Sequence, residues 1–447
     1  MVLTLGLACT HVALARDLWD RPWIEAHGEH YTVLSCVSEK DTIEVVEHLE
    51  RFRNAAMVVL GRNGAPDRVR ARMYLTPDRI PGVDVGVALT ARGNSGALVY
   101  SKFEFDWQAK YLAGLVAVQN TADHVYPSWL LNGIAQVLTT VTTDGSTVEY
   151  GRPPGQWSRI TAGVGPFDFD SRWTSWALLH YLMFTNDRDF ADGVATFFEL
   201  IAQGNSQGDA VEHAFAVDRK TLDVVVSRYA HRTMHYYRRP YSPPSAPVST
   251  ARLSRETAAV AVASLGLQFH QTDVAERSLA TSLKLNPDNA KALYESANLR
   301  YLQSRYDEAD ALFRRAIALD PNDSYGRLDY GEFLVNRAGP TPSPDDLAQA
   351  REQLQRSLAL AAVPETFAAI GSTYLFDGEP AATAVEFLTE AHSMLPADAW
   401  INLLLAKAYD RAGDHARALS HLRWVAIQSP NPVSDEGRSL LAKMNAR

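Results

Sequence analysis

Two imidazoles one helical turn apart, as in His231-Arg-Thr-Met-His235, have the spacing with which a helix offers two ligands to one metal ion. A metal-dependent hydrolase built on His231 and His235 is the catalytic reading this chain offers. No acidic residue stands between the two to serve as a base, and Arg232, Arg238 and Arg239 crowd them with positive charge, so a surface or interface pair is the plainer reading. His27-Gly-Glu-His30 falls at the entry to a strand. His180 lies among Ala177, Leu178, Leu179 and Leu182, where a core histidine bonded to a carbonyl is expected. No H-E-x-x-H, Walker A or G-x-G-x-x-G pattern occurs. The two cysteines, Cys9 and Cys36, cannot build a zinc ribbon or a disulfide framework, and Cys36 sits in an apolar strand run as core filler. No catalytic residue, metal or cofactor is therefore assigned.

The elements around these residues belong to a chain of 447 residues and 49.4 kDa, enough for two or three domains. Its net charge of -9 is spread so that both halves are mildly acidic, which disfavours nucleic-acid binding. No apolar run approaches the ~20 residues that span a bilayer, so no integral membrane span is expected. The opening MVLTLGLACTHVALA resembles the apolar core and A-x-A site of a secretory signal, although no Lys or Arg precedes Arg16. Residues 1–16 are thus expected to be a signal segment and the protein periplasmic or secreted. If they form a short buried helix instead, the protein is cytoplasmic.

The second half repeats itself. Ala309, Phe313, Ala316 and Pro321 stand at positions 20, 24, 27 and 32 of a unit beginning at Ala290. Ala275, Leu279, Ser282 and Pro287 stand there one period earlier, and Ala418, Leu422, Val425 and Pro430 in the unit from Ala399. Two further units fit with insertions, one of them placed in the loop Gly339–Pro344. The small residues let paired helices approach closely, the bulky ones fill the gap, and the proline stops the second helix. Neighbouring units must then share a continuous core. The spacing and phrases such as LNPDN and LDPND resemble the tetratricopeptide repeat. Five repeats over 251–433 are expected, with residues 434–447 as a capping helix. The resemblance implies a groove for a protein or peptide ligand, lined in the second unit by Lys291, Tyr294, Asn298, Tyr301 and Leu302, and in the fifth by Trp400, Leu403, Lys407, Asp410 and Arg411.

Residues 240–250, with four prolines between Pro240 and Pro247, read as a linker that is neither helix nor central strand. Before it, strand patterns (Tyr31–Val37, Val69–Leu75, Val83–Leu89, Ala97–Phe105) alternate with helical ones (Asp41–Leu60, Asp106–Gln119, Pro127–Thr140, Ser171–Phe184). An antiparallel sheet beside a helical subdomain is the economical arrangement.

Three stretches of residues 17–239 resemble the bacterial peptidase-MA-like domain, a relative of the gluzincin zinc peptidases. They are Trp23-Ile-Glu-Ala-His-Gly-Glu-His-Tyr-Thr-Val-Leu-Ser, Pro127-Ser-Trp-Leu-Leu-Asn-Gly-Ile-Ala-Gln136, and Trp173-Thr-Ser-Trp-Ala-Leu-Leu-His-Tyr-Leu182. The resemblance implies a zinc site, which the residues here deny. The helix that should carry H-E-x-x-H, Asp106–Gln119, has no histidine. Aligned on the family's P-x-W-L-x-E-G-x-A-E signature, Asn132 and Gln136 replace the two acids by neutral amides, keeping shape and losing charge. The expected fold is an α+β, degenerate gluzincin-like N-terminal domain followed by an all-α tetratricopeptide-repeat solenoid. The expected function is that of a non-catalytic interaction or scaffold protein, a pseudo-peptidase domain coupled to a partner-binding array.

Overall fold

The computed structural model describes residues 18–62, 67–68, 70–76, 87–88, 94–100, 105–153, 172–185, 190–217, 224, 228–229, 234–243, 246–428 and 431–446. The chain divides into two compact units, one drawn from Met1–His48, Arg70–Asp106 and Ala246–Ala391, the other from Leu49–Val69, Trp107–Ser245 and His392–Arg447.

The first unit is founded on a six-stranded sheet. β1 (Ile24–His27) and β2 (Tyr31–Ser35) form an antiparallel hairpin with Ile24 opposite Ser35. Helix α1 (Glu39–Val59) follows, its start held by Ser38, which accepts from the Asp41 amide at 3.1 Å. β3 (Arg70–Thr76) then lies parallel to β2, and β5 (Asn94–Tyr100) parallel to β3, while the short β4 (Val87–Ala88) runs antiparallel to β5. The sheet is therefore mixed, not antiparallel as the strand patterns suggested. A 21-residue helix between β2 and β3 carries the chain back to the end where it began, which is what parallel pairing requires.

The last strand of this sheet comes from beyond the prolines. β9 (Ser249–Arg252) pairs antiparallel with β1, Ile24 opposite Arg252. In the second unit, β8 (Tyr237–Pro240) pairs with β7 (Thr147–Tyr150), beside the short β6 (Thr142–Thr143). The segment read as a linker is thus anchored by strands at both ends. Both are edge strands, the position in which a proline without an N–H is tolerated.

The repeats appear as helix pairs. In the first unit these are α7 (Arg255–Gln268) with α8 (Thr272–Leu285), α9 (Ala290–Leu302) with α10 (Tyr306–Leu319), α11 (Ser324–Ala338) with α12 (Pro344–Leu360), and α13 (Pro364–Thr373) with the start of α14 (Ala381–Met394). Ala275, Ala309, Phe313 and Ala316 are buried at the helix contacts, as their spacing demanded. The insertion of the third pair is only partly in its loop, because α11 and α12 are themselves longer than α9 and α10. Helix α7 is apolar on two sides. Val260 and Ala263 face α8 and α9, while Ala258, Ala259, Val262 and Leu265 pack on Trp19, Trp23, Leu34, Cys36 and Tyr74 of the sheet region. The sheet thereby covers the end of the stack that a repeat protein otherwise has to cap with polar residues.

In the second unit, α2 (Phe105–Thr121) packs on α3 (Ser128–Thr139), which with α4 (Arg172–Thr185), α5 (Phe190–Gln203) and α6 (Gln207–Phe215) encloses a core that includes Trp129, Trp176, Leu179, Phe197 and Phe215. Trp424 joins this core from α16 (His415–Ala426), the partner of α15 (Ala399–Arg411). Arg423 donates to the Ala202 carbonyl and Gln428 to that of Tyr126. Helix α17 (Pro432–Asn445) covers the last pair through Leu440, Leu441 and Met444. Among the described residues no helix is long and apolar enough to cross a membrane.

Candidate functional site

Helices α2, α3 and α4 meet closely because two glycines allow it. A Cβ on Gly114 of α2 would lie 3.4 Å from Ala135 of α3, and one on Gly133 would lie 2.8 Å from the Ser175 carbonyl of α4. At this junction Tyr111 of α2 donates its hydroxyl to Asn132 Oδ1 at 2.8 Å. One turn further along α3, Gln136 is fully buried with neither Oε1 nor Nε2 hydrogen-bonded, a cost of about 1–3 kcal/mol for such a group. Trp129 packs edge-on against Phe197 with ring centroids 5.9 Å apart. Asn132 thus faces α2 in register with a core tryptophan, whereas Gln136 is sealed in the interior and does not floor a cleft. A neutral amide already engaged by a phenol is a poor zinc ligand, and a second amide without charge does not improve it. No three His, Cys, Asp or Glu side chains come together as a metal site among the described residues.

Of the histidine candidates, His27, His30, His180 and His235 are described. His231 lies outside the described residues. His235 is exposed in irregular chain just before β8. His180 is buried, its Nε2–H donating to the Gly151 carbonyl at 2.6 Å and its Nδ1 accepting from the Tyr229 hydroxyl at 2.8 Å. Gly151 has φ +93°, and the Phe184 ring occupies the place a Cβ would need. Desolvation pushes the His180 imidazole down to about 4. The chain also holds one G-x-S-x-G pattern, Gly204-Asn-Ser-Gln-Gly208. It joins two helices rather than a strand and a helix, and Ser206 is the N-cap of α6, bonded to the Asp209 carboxylate at 2.6 Å and to its amide at 3.1 Å. That is capping, not a nucleophile elbow.

The groove candidates of α9 divide in the same way. Lys291 is exposed, and Leu302 is 56% exposed on the same helical stripe. Asn298 donates to Asp329 of α11 at 2.9 Å, and Tyr301 is half-buried against Phe333 and Tyr306. Tyr294 does not line a groove. It is 4% exposed, its ring lies over Gly326 of α11, where a Cβ would fall 2.1 Å from a ring carbon, and it packs near Phe313. In α15, Trp400 is 42% exposed, Lys407 lies 5.8 Å from its ring centroid and pairs with Glu436 at 2.7 Å, and Arg411 is exposed. Leu403 is buried and Asp410 holds His415 at 2.8 Å, which removes both from the groove's apolar and free polar surface.

Residues 263–324 and 378–444 match the tetratricopeptide repeat family. No curated protein matches the chain. Among solved structures, a thermophilic tetratricopeptide repeat protein of Thermus thermophilus is 20% identical, covering 43% of this chain and 100% of its own, with a TM-score of 0.37. PilW, a type IV pilus biogenesis factor, is 18% identical over 43% of this chain and 87% of its own, with a TM-score of 0.39. PilF of Pseudomonas aeruginosa is 18% identical over 43% and 89%, with a TM-score of 0.36. The C-terminal region carries tetratricopeptide repeats.

Proposed function

We propose that the chain is a non-catalytic protein-interaction protein, in which the repeats hold an extended or helical peptide and residues 17–239 form a peptidase-like domain that has lost its metal. The match of two stretches to the tetratricopeptide repeat carries the reading, because such helix pairs hold side chains on a common concave face and contain no chemistry of their own. Lys291, Asn298, Tyr301 and Leu302 of α9, and Trp400, Lys407 and Arg411 of α15, are the side chains proposed to touch the partner.

The pseudo-peptidase part is supported by the bond between Tyr111 and Asn132. Tyr111 lies on the Asp106–Gln119 helix, which has no histidine, and faces Asn132, the residue that aligns with the acid of the family's W-L-x-E-G signature. Phenol and amide satisfy each other there without an ion. The purified full-length protein is expected to contain no stoichiometric zinc by elemental analysis, and Asn132→Glu is expected to add neither zinc nor peptidase activity. One equivalent of zinc lost on His231→Ala with His235→Ala would instead overturn this reading. Residues 1–16 as a cleaved signal, and with them a periplasmic or secreted location, belong to the same proposal; N-terminal sequencing of the mature protein tests them. Selection of displayed peptides on the immobilised full chain should yield a related set of ligands, and a selection that enriches none would count against the groove.

A further inference from the structure

On the side of α3 away from Asn132 and Gln136 the second unit holds a cavity of about 610 Å3. Its lining comes from the end of α1 and the residues after it, from α2, α3, α4 and α5, and from β7 and β8. The volume is within the range of about 300–1,000 Å3 that encloses small-molecule ligands. Val118, Val137, Leu138 and Leu179 back this lining, fully buried, and its apolar surface is presented by the half-buried Val58, Val59, Ile134, Met183 and Val194. The two charged side chains are at the exposed positions: Arg62, half-exposed and paired with Asp123 at 2.7 Å, and Arg239, which donates through Nε to the Tyr150 hydroxyl at 3.1 Å. The lining contains no Asp or Glu.

We propose that this cavity binds a single-chain amphiphile with an anionic head, a long-chain carboxylate, with the alkyl chain along the half-buried aliphatic side chains of the lining and the head at Arg239. The half-buried aliphatic side chains suit a chain without polar groups, because a peptide laid against them would leave backbone amides unsatisfied. Asp123 already meets the charge of Arg62, and Arg239, at the exposed edge of a lining without Asp or Glu, favours an anionic over a cationic head. The proposal is independent of the repeat groove.

Isothermal titration of the full chain with dodecanoate, below its micelle concentration, tests it. One saturable site is expected, with dodecyltrimethylammonium weaker by roughly tenfold or more. Arg239→Glu should weaken dodecanoate by about tenfold and leave dodecan-1-ol unchanged. Filling the cavity with Val194→Trp, or separately with Met183→Trp, should remove binding of both, with circular dichroism confirming that each variant is folded. Absence of saturable dodecanoate binding to the wild type would overturn the proposal, as would equal affinity for the two head groups or undiminished binding in both filled variants. Displacement of dodecanoate by a tighter-binding apolar peptide with a free C-terminus would assign the cavity to chain termini instead and overturn it as well.

Discussion

Phe313→Ala is expected to lower the stability of the repeat region by about 3–5 kcal/mol. The ring is fully buried between α9 and α11, with Tyr330 and Phe333 centroids 5.2 and 5.3 Å away and Tyr294 at 6.3 Å. Ala309 and Ala316 flank it at the closest approach of the helices, so the backbone cannot collapse far into the space left behind. Because each pair is held by its neighbours, and α7 is in turn packed on the sheet, the loss should spread through the unit rather than stay in one repeat. Urea unfolding followed by circular dichroism measures it; a loss below about 1 kcal/mol would mean that Phe313 does not hold the stack together.

Acidification from pH 7.5 to 5 should weaken the second unit, with His180 contributing about 2 kcal/mol of the loss. Buried between Gly151 and Tyr229, this imidazole is held down to about 4, against an ordinary value of 6.5. Above pH 6.5 it is neutral in both the folded and unfolded chain and makes no difference. As pH falls from 6.5 towards 4 the unfolded chain takes up a proton that the folded chain refuses, so stability declines across that window. Burial holds His421 down to about 4 as well, and lowers His392, whose ring is 5.1 Å from it, so the three act in the same direction. His180→Gln should flatten the pH dependence of the urea midpoint by its share; an unchanged slope would place the titration elsewhere.

The repeats were legible because their determinants are local and periodic. Asn289, Asp323 and Asp398, the residues that close the LNPDN-type phrases and their equivalent, each accept from the backbone amide three residues on and so start the next helix. What was not legible depended on distant partners. Ser249-Thr-Ala-Arg252 has no strand pattern of its own and becomes β9 only because the edge of β1 is open to it. Tyr294 occupies a groove position by spacing, yet Gly326 on the neighbouring helix leaves room for the ring to drop into the core. Tyr111 attracts no notice in the sequence until folding brings it to Asn132. The cavity wall is gathered from several elements of separate segments, so no contiguous motif announces it.

The central claim is that the repeats bind a peptide through the exposed side chains of α9. Its most direct test is the affinity of a display-selected peptide for the full chain and for a variant combining Lys291→Glu, Tyr301→Ala and Leu302→Asp. Lys291 and Leu302 are exposed, so their changes should leave melting unmoved. Loss of the Tyr301 contact with Phe333 should lower it without unfolding the stack, while binding weakens by roughly tenfold or more. Undiminished affinity in a folded triple variant would contradict the account.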